Sequence, residues 1–163
     1  MKWQNLGETP CSIARSLAIV GDRWTILILR NAFLRTRRFD DFQQQLSITR
    51  HLLASRLAKL VKLGVLAKVP YQEKPPRYEY LLTEMGRDWY SVQLALVAWG
   101  DKWLAGTEGP PVEYVHRNCG KKFTPTVSCS ECGETINPRE ITPIANRMRL
   151  PSDISLTVDA KTK

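Results

Sequence analysis

The chain lacks any hydrophobic run that approaches the roughly 18 consecutive apolar residues of a membrane-spanning helix. The segment from Met1 to Asn5 also lacks the hydrophobic stretch of a secretory signal. We therefore expect a cytoplasmic protein with no membrane partner. The length of 163 residues is too short for two full enzyme domains, but it allows one good core and a small satellite.

Cysteine is scarce, with four residues in the chain, and structural disulfides are rare in a reducing cytoplasm. The grouping of Cys119, Cys129 and Cys132 therefore needs another explanation. No βαβ framework or convergent acid–base set surrounds these thiols, so a thiol enzyme is the weakest interpretation. We expect a protein that is not an enzyme.

Acidic residues are outnumbered, since 16 Asp or Glu stand against 24 Lys or Arg and give a net charge of +8. Most of this excess is local, because ten Lys or Arg and three Asp or Glu lie between Phe33 and Arg77. A concentrated positive surface favours a polyanionic partner. Double-stranded DNA is the polyanion that the following motifs predict.

Three helices are predicted in the N-terminal part of the chain. Pro10 suits the first turn of a helix over residues 11–20, and Asp22 is placed to cap a second helix over residues 23–34. The second helix is apolar around its circumference and so belongs in the core. Apolar residues at i, i+3 and i+7 predict a short third helix that begins at Phe39.

A fourth helix, which Thr49 is placed to cap and Gly64 to end, carries the strongest functional signal. At 100° per residue it separates two faces. Leucines occupy one side, at Leu52, Leu53, Leu57, Leu60 and Leu63. The other side is polar or small and basic, with Arg50, His51, Ala54, Ser55, Ala58, Lys59 and Lys62.

The polar face of this helix predicts DNA contacts. Recognition helices meet base edges through their first two turns, which here carry Arg50, His51 and Ser55 beside the capping Thr49. Lys59 lies further along and is better placed for a phosphate. The alternative is an ordinary amphipathic helix with a solvated basic face.

Two arginines each allow two interpretations. Arg56 falls among the leucines, where a charge must be paired or must reach out along its stem, so it forms either an ion pair with a carboxylate or a phosphate clamp. Arg38, in the cationic connector before the third helix, either contacts a phosphate or lies in a solvated turn. We include both among the candidate DNA-binding residues.

Two strand-like runs, over residues 65–69 and 77–82, enclose a proline-rich loop. Prolines keep such a loop from adding to a neighbouring sheet, which leaves Lys74 and Arg77 free to approach a phosphate or the minor groove. Helix, turn, helix and hairpin in this order predict a winged helix-turn-helix, which holds one helix in the major groove. A plain hairpin connection is the alternative.

A long helix over residues 84–104, capped by Thr83, carries more apolar surface than a single small domain can cover. We therefore expect a homodimer, in which two recognition helices about 34 Å apart would match half-sites separated by one turn of DNA. The alternative is that its tryptophans line a ligand pocket.

The segment after residues 106–111, which read as a linker, contains two similar motifs. His116 and Cys119 precede one glycine, Cys129 and Cys132 precede another, and each pair has two spacers. This is the pattern of paired zinc knuckles, and a segment with so little core needs a metal to fold. We expect a Cys3His zinc site with a strand over residues 123–128 between its halves. Free thiols beside a stray histidine, or a Cys129–Cys132 redox couple, are the alternatives.

The fold class predicted is therefore mainly α with a small β wing, followed by a small zinc-ribbon-like β segment. The winged helix-turn-helix and dimerisation domain covers residues 1–105 and the zinc-ribbon-like segment covers residues 112–141. Residues 142–163 mix prolines, arginines and polar residues and are predicted to be a poorly ordered tail.

Cys11 is a candidate redox sensor. It lies at the start of the first predicted helix, where the helix dipole and Arg15 would favour its thiolate. The alternative is a small inert hydrophobe buried at a dimer interface.

Together these residues resemble the HxlR-type winged helix-turn-helix regulators of bacteria. The resemblance rests on Cys11, Gly21-Asp22-Arg23-Trp24, Arg38-Phe39, Leu53-Ala54-Ser55-Arg56-Leu57, Gly64-Val65-Leu66, Pro75-Pro76-Arg77-Tyr78-Glu79-Tyr80 and Leu82-Thr83. It implies a cytoplasmic homodimeric transcription factor that binds a palindromic operator and is paired through its first and last helices. Several family members sense electrophiles or oxidants through a cysteine at the position of Cys11. Residues 67–69 lack the arginine that the family often carries there.

The sequence thus predicts a sequence-specific transcriptional regulator, with a small molecule or electrophile as its possible effector. The alternative function is an interaction module of the transcription machinery, because a winged helix joined to a zinc ribbon also resembles archaeal and eukaryotic initiation factors.

Overall fold

The computed structural model describes residues 7–144 and residue 146, and it divides into two compact units, Met1–Leu96 and Val97–Lys163. The helices are α1 (Ser12–Val20), α2 (Arg23–Phe33), α3 (Phe39–Leu46), α4 (Arg50–Lys62) and α5 (Glu84–Leu104). The strands are β1 (Leu66–Gln72), β2 (Arg77–Leu82), β3 (Tyr114–His116) and β4 (Lys121–Phe123). None of the helices in the described part of the chain is long and apolar enough to cross a bilayer.

Local capping fixes where the helices begin, and the predicted caps are confirmed. Asp22 Oδ1 accepts hydrogen bonds from the backbone amides of Trp24 and Thr25 at the start of α2, at 3.0 and 3.2 Å. Thr49 Oγ1 accepts one from Leu52 at the start of α4, and Thr83 Oγ1 accepts one from Gly86 in α5.

The core of the first unit forms where α2, α3, α4 and the start of the hairpin meet. The leucine side of α4 packs inward at Leu53, Leu57 and Leu60, which have no exposed surface, whereas the predicted Leu52 is only partly buried and Leu63, at the C-cap, is 38% exposed. The remaining members of this buried cluster come from the neighbouring elements and loops: Val20, Ile28, Leu29, Phe42, Leu46, Ile48, Val65 and Leu66. The central position predicted for α2 is thus confirmed by its buried Ile28 and Leu29.

A polar network built on the buried Asn31 and Thr36 joins α2 to α3, and the sequence analysis did not predict it. Asn31 Nδ2 and Thr36 Oγ1 each donate to Gln45 Oε1 at 2.8 Å. Asn31 Oδ1 accepts two hydrogen bonds from the Arg30 guanidinium. Because each buried polar group has a partner, the network holds the two helices in one arrangement at little desolvation cost.

The hairpin β1–β2 is antiparallel and longer than predicted. Leu66 pairs with Leu82, and the pairing continues to Gln72 opposite Arg77, so only residues 73–76 form the turn. The predicted first strand ended at residue 69 because proline cannot donate to a sheet. The register shifts between Pro70 and Gln72, and this irregularity accommodates the proline within a two-stranded edge.

The described residues of the second unit contain one short hairpin and one isolated bridge. The strands β3 and β4 are antiparallel, and Ser128 forms an isolated bridge with Thr135. The predicted strand over residues 123–128 was therefore wrong in its position, since regular pairing ends at Phe123. Pro125 has no amide hydrogen to continue a ladder. Most of the predicted tail, residues 142–163, lies outside the described residues.

Replacing Leu53 with alanine should lower the free energy of unfolding by roughly 2–5 kcal/mol, because the change removes buried methyl groups and leaves a cavity. Chemical denaturation monitored by tryptophan fluorescence measures this. Ser55→Ala, on the exposed side of the same helix, is the matched control and should stay within about 0.5 kcal/mol of the wild type. Equal effects of the two substitutions would contradict the assignment of the buried face.

Candidate nucleic-acid interface

The outward face of α4 is built as the sequence predicts. Arg50, His51 and Ser55 are exposed on its first two turns, and the helix is anchored behind them by its buried leucines. The helix follows α3 after a tight turn in which Ser47 adopts a left-handed conformation with φ of 50°. This is the helix-turn-helix arrangement in which the second helix presents its N-terminal side chains outward.

Arg50 is held in place without being buried. Its Nη1 donates to Asp40 Oδ1 at 2.9 Å and to Gln43 Oε1 at 2.8 Å, and its guanidinium lies 4.8 Å from the centre of the Phe39 ring. About 65% of the side chain is exposed. An exposed ion pair of this kind contributes little to stability, so Arg50 can exchange Asp40 for an anion in a ligand.

Arg56 forms the ion pair that was one of its two predicted roles. Its Nε and Nη2 donate to the two carboxylate oxygens of Asp22 at 2.9 and 3.1 Å. The side chains are only 27% and 32% exposed. Asp22 therefore serves two purposes, since the same carboxylate caps α2 and fixes α4 by a bidentate contact.

The pKa of Asp22 reflects this double role. Burial raises the pKa, but the hydrogen bond from Arg56, the amide of Thr25 and the charge of Arg56 outweigh it, so the pKa lies below its ordinary value of 3.8. The ionised form is thus the one that the fold stabilises.

Lys59 was predicted to meet a phosphate, but the structure engages it within the chain. Its Nζ donates to the backbone carbonyls of Ala18 at 2.8 Å and Ile19 at 3.2 Å, in the last turn of α1. A lysine there satisfies carbonyls that have no partner within the helix and complements the negative end of its dipole. Lys59 consequently ties α4 to α1.

The hairpin carries the second group of cationic side chains. Lys74 and Arg77 are exposed at its turn, as predicted. Arg38 lies beside β2, with Nε 3.6 Å from Glu79 Oε1 and its guanidinium 4.7 Å from the centre of the Tyr71 ring. This contact orients Arg38 but leaves 56% of its side chain exposed.

A cleft of about 490 Å³ lies between the start of α3 and the hairpin. Arg38, Lys68 and Arg77 line it together with aromatic side chains. Sequence reasoning missed Lys68, whose Nζ lies 4.0 Å from the centre of the Tyr78 ring. Lys68 lies on β1 opposite Tyr80, within the run that the sequence predicts as the first strand.

The four predicted metal ligands come together in pairs. His116 Nδ1 and Cys119 Sγ are 3.4 Å apart. The amides of Cys132 and Glu131, and the thiol of Cys132, donate to Cys129 Sγ and lower the pKa of Cys129 below 9.0. Within residues 7–144 and 146, however, no three His, Cys, Asp or Glu side chains are gathered closely enough to hold a metal ion.

Cys11 is the N-cap residue of α1, one position before the helix begins. Its side chain makes no capping hydrogen bond and is partly exposed. This places Cys11 at the positive end of α1, as predicted.

An apolar stripe follows α5. Met85, Val92, Leu96, Trp99 and Trp103 recur at helical spacing and are between 46% and 64% exposed. A cavity lined by Met85 and Trp89 has a volume of only about 90 Å³, too small for a typical ligand pocket. The tryptophan-lined pocket is therefore not supported by this cavity.

A tight-turn helix pair, an outward polar helix face and a cationic hairpin beside it define a winged helix-turn-helix DNA-binding protein. Comparison with known proteins agrees. The profile of the HxlR-like helix-turn-helix family matches residues 19–108, and the chain belongs to this family.

Relatives extend the match beyond that region. The uncharacterized HTH-type transcriptional regulator MT3179 of Mycobacterium tuberculosis is 47% identical over 132 residues, which cover 81% of this chain and 84% of MT3179. The crystal structure of PA1607, a candidate transcription factor, has a TM-score of 0.75 and 31% identity, covering 87% of this chain and 98% of PA1607.

The redox regulator HypR is also similar, over a little more than half of this chain. Its reduced form is 28% identical with a TM-score of 0.52, and the match covers 56% of this chain and 92% of HypR. Its oxidized form is 29% identical with a TM-score of 0.51, covering 56% of this chain and 96% of HypR.

Replacing Asp22 with asparagine should lower the free energy of unfolding by roughly 1–3 kcal/mol at neutral pH, because asparagine can still cap α2 but leaves Arg56 without its anion. The folded-state pKa of Asp22 is depressed, so this stabilisation is complete above 3.8 and is lost as the pH falls through the folded-state value.

Urea denaturation of wild type and Asp22→Asn from neutral to acid pH tests this, and the two curves should converge at low pH. Asp41→Asn, which removes an exposed carboxylate from α3, is the control and should run parallel to wild type. A constant difference between Asp22→Asn and wild type at every pH would refute the ionic contribution.

Proposed function

We propose that the protein is a sequence-specific transcriptional regulator that binds a palindromic operator as a homodimer, with α4 of each subunit in the major groove. The observation that carries the proposal is the exposed face of α4, where Arg50, His51 and Ser55 lie opposite the fully buried Leu53, Leu57 and Leu60. Side chains of this length and polarity can reach base edges from a helix in that groove.

The cationic side chains divide into two groups. Arg56 and Lys59 are engaged by Asp22 and by the end of α1, so we assign them to the positioning of α4. Lys74 and Arg77 remain exposed at the turn of the hairpin, and Arg38 remains half-exposed beside it. These three are assigned to phosphates, which set affinity and register but carry no sequence information directly.

The second subunit is proposed to cover the apolar surface of α1 and α5. Ile13 and Leu17 of α1 are exposed, as are Val92 and Leu96 of α5. Exposed apolar side chains on two helices are typical of an isologous interface, in which the same surface of both subunits pairs with itself. Such a dimer presents two copies of α4, which a palindromic site requires.

Substitution of a base-contacting residue and of a phosphate-contacting residue should change DNA binding in different ways. Duplexes selected from a random library by the wild type provide the operator. His51→Ala and Ser55→Ala should each weaken binding to it about tenfold and relax the preference at particular base pairs. Lys74→Ala and Arg77→Ala should weaken binding to all duplexes alike and reduce the salt slope by about one each.

Fluorescence anisotropy at several salt concentrations measures both effects. Lys121→Ala, an exposed lysine of the second unit, is the control for loss of one positive charge and should leave binding unchanged. Selection that yields no preferred sequence would contradict the proposal and favour an interaction module of the transcription machinery, which the regulators found as relatives do not support.

Substitutions that place a charge on the apolar stripe of α5 test the dimer. Val92→Asp and Leu96→Asp should convert the protein to a monomer, because a carboxylate would be buried without a partner in the interface. Ser91→Asp, also exposed on α5 but about 120° around the helix from Met85, is the control and should remain dimeric. Sedimentation equilibrium distinguishes the two states, and a monomeric wild type would refute the homodimer.

Redox responsiveness is the remaining part of the proposal. It is supported by the partly exposed position of Cys11 at the N-terminus of α1 and by the similarity to HypR, a redox regulator solved in reduced and oxidized forms. Treatment with a quinone should release the operator from the wild type but not from Cys11→Ser. Unchanged operator affinity after complete modification of Cys11, verified by mass spectrometry, would remove this part.

A further inference from the structure

The unit Val97–Lys163 has almost no core of its own. Not one of its described residues, 97–144 and 146, is buried, although they contain the β3–β4 hairpin with a defined register and the isolated bridge between Ser128 and Thr135. Val115, Phe123 and Val127 are all more than a third exposed. A segment that buries so little apolar surface needs a cross-link or a bound metal to stay folded.

Two turns in this unit have the same backbone geometry. The carbonyl of His116 accepts a hydrogen bond from the amide of Gly120 at 2.8 Å, and the carbonyl of Cys129 accepts one from Gly133 at 2.9 Å. Both glycines have left-handed φ angles, of 68° and 76°. The fifth residue of each turn must therefore be glycine or be strained.

Each turn brings its first and fourth side chains together. His116 Nδ1 lies 3.4 Å from Cys119 Sγ, a separation at which both atoms can bind one metal ion. In the other turn the Cys132 thiol and two backbone amides surround Cys129 Sγ. Two chelating pairs of the same design, ten residues apart, are more than a stray histidine beside free thiols requires.

We propose that the two turns are halves of one structural zinc site with His116, Cys119, Cys129 and Cys132 as its ligands. Three thiolates and one imidazole are a soft, four-coordinate set that selects zinc over magnesium or calcium. The pairs are separate in the described structure, so binding closes the two turns onto one ion and supplies the cross-link that the unit lacks. No other cysteine of the chain is used, since Cys11 belongs to the first unit.

Zinc-dependent protection of thiols tests the site in the intact protein. The reduced full-length chain is alkylated with and without added zinc, and each cysteine is quantified by peptide mass spectrometry. Zinc should protect Cys119, Cys129 and Cys132 together, whereas Cys11 is an internal control that reacts equally in both conditions. Protection of Cys129 and Cys132 without Cys119, or of none of them, overturns the four-ligand site.

Cobalt substitution gives a second measurement that does not depend on variants folding. Titration of the wild type with Co²⁺ should saturate at about one ion per chain and produce the visible bands of tetrahedral coordination, with thiolate charge transfer from three sulfurs. Among variants, His116→Ala and Cys119→Ser should lose these bands, while the controls His51→Ala and Cys11→Ser retain them. An octahedral spectrum, or bands unchanged in His116→Ala, refutes the assignment.

Discussion

The bidentate contact between Asp22 and Arg56 is the interaction on which the candidate DNA-binding surface depends. One carboxylate caps α2 and holds Arg56, so the start of the central helix and the middle of α4 are fixed by the same group. Lys59 adds a second attachment, to the end of α1. With its leucines buried and these cations engaged, α4 can rotate little, and its remaining polar side chains face outward. Preorganised side chains of this kind read DNA without a further ordering cost.

The sequence was sufficient for features that are decided locally. The caps Asp22, Thr49 and Thr83 were predictable because a capping side chain bonds to amides two or three residues away. The leucine spacing of α4 predicted its buried face for the same reason. The partner of Arg56 was not identified, although a carboxylate was expected, because Asp22 lies 34 positions earlier and only the tertiary packing brings the two together. The partner of Lys59 and the network around Gln45 were not predicted for the same reason. Lys59 binds a carbonyl of α1 and Gln45 binds the amide of Asn31, and both partners are distant in the sequence.

In the C-terminal unit the sequence predicted the turns correctly but not the strand. Ligand spacing and glycine positions predicted two turns, and the turns are present with matching hydrogen bonds. The strand between them was misplaced because the β-favouring Phe, Thr and Val residues at 123–128 outweighed the effect of Pro125. The sequence predicts the two pairs of side chains, but the metal ion that would join them is not encoded in the chain. None of the described residues of this unit, 97–144 and 146, is buried, which agrees with the small core expected from the sequence and is the reason that a cross-link is required.

The central claim is that two copies of α4 enter the major groove at a fixed separation. Methylation interference at guanine N7 tests it directly, because this atom lies in the major groove and reports contact by a recognition helix. On a duplex selected by the wild-type protein, the account predicts two interfering clusters on one side of the helix, about 34 Å apart. A single cluster, or a uniform weak effect along the duplex, would contradict it.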